Sequence, residues 1–307
     1  MASLSHRQGW SFAVLLTVFP CVFFASTSND TSSVTYRTGT SEVRVAFFTT
    51  DENNHLVERI DKNDFAVVDG DTIIRDFRSF TRSDETALDI VLLVDASESV
   101  AARYQAVNRD VLRLLSQNSS ASSDRISVIT FSGLRPLVVC SGDCNHAAVE
   151  AKLVSASATG PTPLFDALRF TAEFISNRPA PGERQVVILF SDGVDTISGT
   201  SLREAIDAVA ATGAVLYTVD VHASPREPSG RYWLQQMAES TGGRSFSFQD
   251  GEANILQAVL ADMRASYVVT YRLPSRSAGF HSLRILPKHN LHLRFHCRRG
   301  YFYEEIR

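Results

Sequence analysis

Residues 88–100 read Leu-Asp-Ile-Val-Leu-Leu-Val-Asp-Ala-Ser-Glu-Ser-Val, and this stretch decides the fold. Five apolar residues, Ile90 to Val94, run without interruption, which is typical of a strand buried on both faces of a parallel sheet. Asp95, Ser97 and Ser99 follow at alternate positions, just past the carboxyl end of the predicted strand. Open α/β sheets place their ligand sites there. Carboxylate and hydroxyl oxygens suit a hard cation such as Mg²⁺ better than Zn²⁺ or Cu²⁺.

Strand-type and helix-type apolar patterns alternate from this stretch to residue 264. Further strands are predicted at 125–131, 136–140, 185–190, 214–221 and 244–248. Helices are predicted at 100–116, 164–177, 201–212, 232–241 and 252–264. This alternation is typical of βαβ units, so it predicts an α/β domain with a doubly wound, mostly parallel, Rossmann-like sheet.

Both ends of the chain show the shorter period of half-exposed strands. They are predicted at 42–48, 64–68 and 72–77 before the α/β region, and at 266–273, 280–286 and 291–298 after it. Neither set can bury its apolar face alone. We therefore expect the α/β domain to be inserted into a small β-sandwich made from both ends. The predicted divisions are a signal peptide at 1–27, β segments at 34–84 and 266–307, and the α/β domain at 85–265.

The N-terminus has the pattern of a secretory signal. His6 and Arg7 precede an uncharged, nearly all apolar run at 11–25, and small polar residues follow it. Cleavage is expected after Thr27 or Ser28, which predicts a secreted, periplasmic or envelope protein. The apolar run is short for a membrane span, and an uncleaved N-terminal anchor is the alternative.

Charge and cysteine content narrow the class of protein further. The formal net charge of -4 carries no sign of the basic surface that nucleic-acid binding needs. Cys140 and Cys144 are close enough in sequence to form a disulfide in an oxidising compartment, and two free thiols are the alternative. Cys297 is expected to be a small buried residue, and no second Cys or His pair stands at a distance that fits zinc.

Two distant segments add to the polar cluster after residue 94. Thr162 lies in a Gly-Pro-Thr-Pro loop before a predicted helix, and Asp192 ends the strand that starts at Gln185. Loops after neighbouring parallel strands converge, so one cation is expected to bind Asp95, Ser97, Ser99, Thr162 and Asp192. Such a set leaves an open coordination position, which an acidic side chain of a protein partner can fill.

With these residues the chain resembles the von Willebrand factor type A (VWA) domain and its metal-ion-dependent adhesion site, over residues 87–264. In that family the Asp-x-Ser-x-Ser residues, a loop Thr and a strand-end Asp bind Mg²⁺ or Mn²⁺. The five residues match position by position, with Asp192 expected to act largely through water.

The wider pattern resembles the VWA-related secreted proteins typical of Acidobacteria, in segments 64–70, 162–168, 191–195, 241–244 and 299–301. The chain departs from them at Glu98 and Val100, where relatives often have Gly and Met. Neither is a ligand position, but the charge of Glu98 leaves the choice of ion and partner open.

Each proposed ligand also has a simpler interpretation. Asp95, Ser97 or Ser99 can cap the helix predicted from Val100, and Thr162 can cap the next helix. Asp192 in Ser-Asp-Gly can simply form a turn. The joint match of all five to one site favours the metal interpretation.

Other polar residues are assigned structural roles. Asp195 is predicted to be a turn residue, and Asp166 is expected to cap or pair locally. His292 and His296 share the polar face of a predicted strand with Arg294, which indicates a solvated face rather than a pair of metal ligands.

These patterns favour a binding or adhesion module that engages a protein partner through a divalent cation. A structural envelope component with a vestigial metal site is the alternative, and a metal-assisted hydrolase is the least favoured hypothesis. The sequence has no Gly-rich phosphate loop and no Gly-x-Ser-x-Gly elbow. No histidine stands beside the Asp95 cluster as a base, and His222 is the only one predicted near the carboxyl edge of the sheet. We therefore expect no catalysis. No nucleic acid and no integral membrane domain are expected, apart from the alternative N-terminal anchor.

Overall fold

The computed structural model describes residues 42–83, 86–118, 124–142, 144–178, 183–222, 230–248, 255–275 and 277–303. The predicted signal at 1–27 lies outside these residues. The helices are α1 Ala101–Asn118, α2 His146–Ser155, α3 Leu164–Ser176, α4 Leu202–Thr212, α5 Arg231–Thr241 and α6 Ile255–Arg264. The strands are β1 Glu42–Thr50, β2 Phe65–Asp69, β3 Thr72–Ile74, β4 Ser79–Arg82, β5 Leu88–Asp95, β6 Arg125–Phe131, β7 Leu137–Cys140, β8 Arg184–Ser191, β9 Val215–Asp220, β10 Ser245–Ser247, β11 Tyr267–Arg272, β12 Gly279–Pro287, β13 Arg294–Cys297 and β14 Gly300–Tyr303.

A six-stranded sheet in the order β10-β9-β8-β5-β6-β7 forms the centre of the α/β region. β5 pairs in parallel with β6 on one side and β8 on the other, and only β7 runs antiparallel, at one edge. The strand order therefore reverses at β5. In doubly wound sheets, the loops after the strands separate at such a point and leave a crevice at their carboxyl ends.

β5 is buried along its whole length, as its apolar run predicts. Ile90 and Leu92 pack into the core that α1, α2 and α6 share with one face of the sheet. Val91 and Leu93 pack into the core under α3, α4 and α5 on the other face. Helices cover both faces, so the predicted doubly wound α/β fold is confirmed.

The strands from the two ends of the chain interleave in two further sheets. One has the order β13-β1-β11-β4 and the other β14-β12-β2-β3, so each takes two strands from each end of the chain. Their apolar faces enclose a core in which the rings of Phe47 and Phe65 lie 5.1 Å apart, edge to face. The prediction that both ends combine into a β-sandwich is confirmed.

The structure also differs from the predicted elements. Helix α2 and strands β4 and β14 were not predicted, and the strand predicted at 72–77 ends at Ile74. The third tail strand begins at Arg294 rather than Leu291, and Leu291 is 74% exposed because residues 290–293 form a turn closed by the Leu293 N–H and the Asn290 carbonyl. The first residues of the helix predicted at 252–264 lie outside the described residues, and α6 begins at Ile255.

Across the described ranges, none of the helices combines the length and apolar character needed to span a bilayer.

Candidate metal site at the carboxyl edge of the central sheet

Asp95 ends β5 and is 2% exposed. Its Oδ1 accepts a hydrogen bond from the Ser97 backbone N–H at 2.9 Å, and its Oδ2 accepts one from the Ser191 hydroxyl at 2.7 Å. Ser191 ends the adjacent strand β8. The carboxylate is therefore fixed between the ends of two neighbouring strands at the point where the strand order reverses.

Ser97 and Ser99 lie beside this carboxylate in a tight turn. Their hydroxyl oxygens are 3.1 Å apart, with Ser97 fully buried and Ser99 exposed. Ser97 precedes the short 3₁₀ turn Glu98–Val100, and its side chain makes no capping hydrogen bond. The simple capping interpretation therefore fails for Ser97, and its hydroxyl faces that of Ser99 instead.

Thr162 is buried in the loop before α3, at 2% exposure. Its backbone N–H donates to the Thr196 hydroxyl at 2.7 Å. Pro163, not Thr162, is the residue that precedes α3, and it provides no side-chain cap. The same loop contacts the Asp95–Ser99 segment, because the Glu98 N–H donates to the Gly160 carbonyl at 3.1 Å. Backbone contacts thus hold the Thr162 loop against the first segment.

Asp192 follows β8 and is 5% exposed. Its Oδ1 accepts from the Val194 N–H at 3.0 Å, so the turn interpretation holds for this oxygen. Its backbone carbonyl accepts from the Gly230 N–H at 2.9 Å, which ties the loop after β8 to the start of α5. The five predicted ligands accordingly lie on three loops, and the structure joins each loop to a neighbour at the same edge of the sheet.

Asp95 is a buried acid that has a second acid beside it and no arginine partner among the described residues. Burial raises its pKa to about 6, and the negative charge of Asp192 adds to the effect, against the hydrogen bonds from Ser97 and Ser191. Four other aspartates with buried side chains have an arginine at hydrogen-bond distance, in the pairs Asp89–Arg178, Asp124–Arg264, Asp220–Arg231 and Asp262–Arg244. Within the described ranges, Asp69 is also buried without an arginine, but it accepts from two tyrosine hydroxyls and has no second acid beside it. Asp95 instead has an amide, a hydroxyl and a second carboxylate around it.

The donor set suits a small hard cation. Buried charges in proteins are usually paired or coordinate a metal, and two carboxylates with hydroxyls offer the oxygen ligands that Mg²⁺ prefers. In the described part of the chain, no group of three or more His, Cys, Asp or Glu side chains is placed to hold a metal. A site here therefore depends on the serine and threonine hydroxyls, and the residues present fit Mg²⁺ or Mn²⁺.

Two neighbouring acids are structural. Asp195 accepts from the Ser198 N–H, as a turn residue does, but it also accepts from the Phe165 N–H at 3.3 Å and so caps α3 from another loop. Asp166 accepts from the Gly199 and Thr200 N–H groups. Both link the Thr162 loop to the loop after β8.

Sequence reasoning missed two of the residues that support this edge. Ser191 holds the Asp95 carboxylate, and Thr196 holds the Thr162 backbone. Ser191 stands next to Asp192 in the Ser-Asp-Gly segment, so its position after a buried strand was a usable signal. Thr196 carries no local signal, because its partner lies 34 positions away in the sequence.

The remaining cysteine and histidine predictions have mixed outcomes. Cys140 and Cys144 form a disulfide. Cys297 is a free thiol whose pKa burial raises to about 11, which fits the predicted packing role. His292 is exposed, but the prediction of a solvated face is wrong for His296, whose ring stacks on Phe48 at 4.5 Å.

A known protein family matches the part of the chain that contains this edge of the sheet. The model of the von Willebrand factor type A domain matches residues 89–261, which are 173 of the 307 residues. The chain belongs to this family. The family resemblance inferred from sequence is thus confirmed. VWA domains are protein-interaction modules, typically without enzymatic activity, and they commonly bind a divalent cation at an adhesion site.

Several solved structures are similar to this VWA protein, but at low sequence identity and with TM-scores below 0.5. An aerotolerance-related membrane protein from Bacteroides fragilis is 15% identical, with a TM-score of 0.48 over 58% of this chain and 98% of that one. BatB from Bacteroides thetaiotaomicron is 17% identical, with a TM-score of 0.46 over the same shares. The pilus adhesin SpaC from Lactobacillus rhamnosus GG is 13% identical, with a TM-score of 0.44 over 79% of this chain and 46% of that one. Structural similarity at this level does not indicate function. No curated protein matches the chain.

Proposed function

We propose that this VWA protein is an exported binding module that engages an acidic side chain of a protein partner through Mg²⁺ or Mn²⁺. The proposed ligands are Asp95, Ser97, Ser99, Thr162 and Asp192. One observation carries the proposal. Asp95 is buried beside a second acid, Asp192, with no described arginine at hydrogen-bond distance, whereas most other buried aspartates have an arginine partner. A cation supplies the missing positive charge.

The chain's own residues have distinct tasks in this proposal. Asp95 provides the buried carboxylate, which Ser191 and the Ser97 amide hold in place. The hydroxyls of Ser97, Ser99 and Thr162 provide neutral oxygens, and Asp192 acts largely through water. A bound cation with so few anionic ligands keeps an open position, which attracts a carboxylate from the partner.

A binding role is favoured over catalysis because VWA domains are typically interaction modules without enzymatic activity. The buried histidine His222 follows β9 at the same edge of the sheet, and its Nδ1 lies 2.5 Å from Asp220 Oδ1. Asp220 in turn accepts from Arg231 at 3.0 Å. The Asp220–Arg231 pair therefore fixes the orientation of the His222 ring, as a structural ion-pair network does.

Export is proposed from the N-terminal pattern and supported by the cysteines. The segment 1–27 has the charge and apolar pattern of a secretory signal. Cys140 and Cys144 form a disulfide, and structural disulfides are typical of oxidising compartments. We therefore place the protein outside the cytoplasmic membrane, secreted or in the envelope.

Thermal unfolding with and without Mg²⁺ tests the proposed site. A ligand that binds only the folded state stabilises it by about 2.7 kcal/mol at a hundredfold excess over Kd. We expect Mg²⁺ to raise the Tm of the wild type and chelator to restore its original value. The Tm of Asp95→Asn should not change with Mg²⁺. Asp207→Asn is the matched control, because Asp207 is exposed on α4 and should leave the rise unchanged. A wild-type protein that Mg²⁺ does not stabilise would instead support the vestigial, structural alternative.

A further inference from the structure

A second cleft lies away from the metal site, between the edge of the central sheet and the sandwich. Its volume is about 650 Å³, which is in the range of ligand-binding sites. All of β10, all of β13 and residues 283–286 of β12 line it. None of the five proposed metal ligands contributes to its lining, so any binding here is separate from the proposed cation.

The cleft is strongly basic. Five arginines line it, and Glu239 is the one carboxylate among the described lining residues. Three of the arginines have acidic partners within 3.0 Å, in the pairs Arg231–Asp220, Arg244–Asp262 and Arg299–Glu239. Arg284 and Arg294 are exposed, and neither forms an ion pair with a described residue. Their charges are therefore available to a ligand.

The positive charge acts on a side chain inside the cleft. His296 lines it, and burial together with the charges of Arg244 and Arg294 lowers the pKa of this histidine to about 4. Because Arg294 has no acidic partner among the described residues, a negative charge next to this imidazole would be stabilised.

Open strand edges give the cleft a second property. Among the described strands, β13 pairs only with β1 and is the last strand of its sheet, and β10 is the last strand of the central sheet. An unpaired strand edge presents N–H and carbonyl groups that an extended peptide can pair with. Leu286, at 45% exposure, adds apolar surface for a side chain of such a peptide.

We propose that this cleft binds an extended acidic segment of a partner protein. The backbone of the segment pairs with the open edge of β13, and its carboxylates pair with Arg284 and Arg294. Side chains on one face of a strand repeat every second residue, so acidic residues at alternate positions fit best. This site needs no divalent cation, and it stands independently of the proposed metal site.

Fluorescence anisotropy with a labelled peptide of alternating Glu and Thr tests the proposal, on the full chain and in chelator. We expect binding that salt weakens, and about a tenfold loss of affinity in Arg284→Gln with Arg294→Gln, as for loss of charge-assisted pairs. The control is Arg169→Gln with Arg203→Gln, which removes the same charge from exposed sites on α3 and α4. This control and Asp95→Asn should both bind as the wild type does.

Two further peptides and a simple anion define the ligand class. The same peptide with Lys in place of Glu, and one N-methylated at every residue so that neither edge can pair, should both bind much more weakly. Inorganic phosphate should compete only weakly. The proposal is overturned if the two cleft arginines can be replaced without loss, if the Lys or N-methylated peptide binds equally well, or if phosphate binds as tightly as the Glu peptide.

Discussion

Asp89 and Asp95 lie at opposite ends of the same buried strand, and both are buried, but they have different partners. Asp89 is 1% exposed and forms a hydrogen-bonded ion pair with Arg178 at 2.5 Å. Asp95, at 2% exposure, has only hydroxyl and amide donors and a neighbouring acid. An unpaired buried charge is costly. In the proposed site, a cation at the carboxyl edge of the sheet compensates the charge of Asp95.

The sequence alone does not distinguish these two aspartates by their surroundings. Arg178 lies 89 positions from Asp89, and Ser191 lies 96 positions from Asp95. Arg178 and Ser191 reach these aspartates only because α3 and β8 pack beside β5. The proposal that Asp95 is a metal ligand came from the sequence, because Ser97 and Ser99 follow it in a recognisable order. The absence of an arginine partner is visible only in three dimensions.

Gly193 is a residue at which a single methyl group should disturb the site. Its φ is +78°, and a Cβ there would lie 2.7 Å from the Gly230 carbonyl oxygen and from Leu234 Cγ. We predict that Gly193→Ala destabilises the fold by more than about 1 kcal/mol and weakens Mg²⁺ binding, because Asp192 precedes it in the loop. Urea unfolding and calorimetric titration measure the two effects.

Gly199→Ala is the matched control for this substitution. Gly199 lies further along the same loop, has no left-handed φ and would place its Cβ in open space. Its stability and metal affinity should stay close to those of the wild type. Equal behaviour of the two variants would show that the tight contact between Gly193 and Gly230 does not shape the site.

Among the secondary-structure elements, regular apolar spacing decided what was predictable. The strands and helices around β5 were predicted because their apolar residues repeat with a clear period. Helix α2 was missed because only Val149 and Leu153 of its ten residues are buried. Its start is set by Asn145, whose side chain accepts from the Ala148 N–H at 3.0 Å. A short helix with so small a buried face resembles a loop in sequence.

The cap of α3 connects an element to the site and gives a second prediction. Asp195 accepts from the Phe165 N–H and from Ser198, so it holds the loop after β8 against the start of α3. Asp195→Ala should cost about 1 kcal/mol of stability, as for other caps. It should also lower Mg²⁺ affinity about tenfold, as loss of supporting contacts does at metal sites.

Ser201→Ala separates these two effects. Ser201 caps α4 in a capping box with Glu204, so its loss should cost a similar amount of stability. It holds no ligand loop, and calorimetry should find its Mg²⁺ affinity unchanged. If Asp195→Ala and Ser201→Ala lose Mg²⁺ affinity equally, or if neither variant loses any, the coupling of Asp195 to the site is refuted.

In the whole molecule, the sandwich shows the limit of pattern reasoning. Alternation in the tail predicted which residues share a face, and Phe295 and Cys297 do pack towards the sandwich core. The same pattern could not show that the opposite face of β13 is also covered. His296 on that face stacks on Phe48, which itself packs in the core of the α/β domain. Such contacts between domains have no sequence signal.

This covered histidine predicts how stability depends on pH. The pKa of His296 is lowered from its usual 6.5 to about 4, chiefly by burial. Between these two pH values the unfolded chain binds a proton at His296 and the folded chain does not. Stability is therefore full above about pH 6.5 and falls as the pH drops towards 4. The loss at about pH 5 is about 2 kcal/mol from this group.

Urea unfolding of His296→Gln across this pH range measures the contribution. The variant keeps a group that can bond to Thr50, which His296 Nε2 contacts at 2.9 Å, but it has no proton to bind. Its stability should fall less on acidification than that of the wild type. His289→Gln, at an exposed position, should behave as the wild type does. An unchanged acid dependence in His296→Gln would contradict the assigned burial.

Electron paramagnetic resonance of Mn²⁺ during titration with protein tests the central claim most directly, because binding removes the sharp signal of the free aqueous ion. The wild-type chain should bind one Mn²⁺ with competition by Mg²⁺, and Asp95→Asn should leave the free-ion signal unchanged. A wild-type chain that binds no Mn²⁺, or an Asp95→Asn variant that binds it equally well, would contradict a cation site at the end of β5.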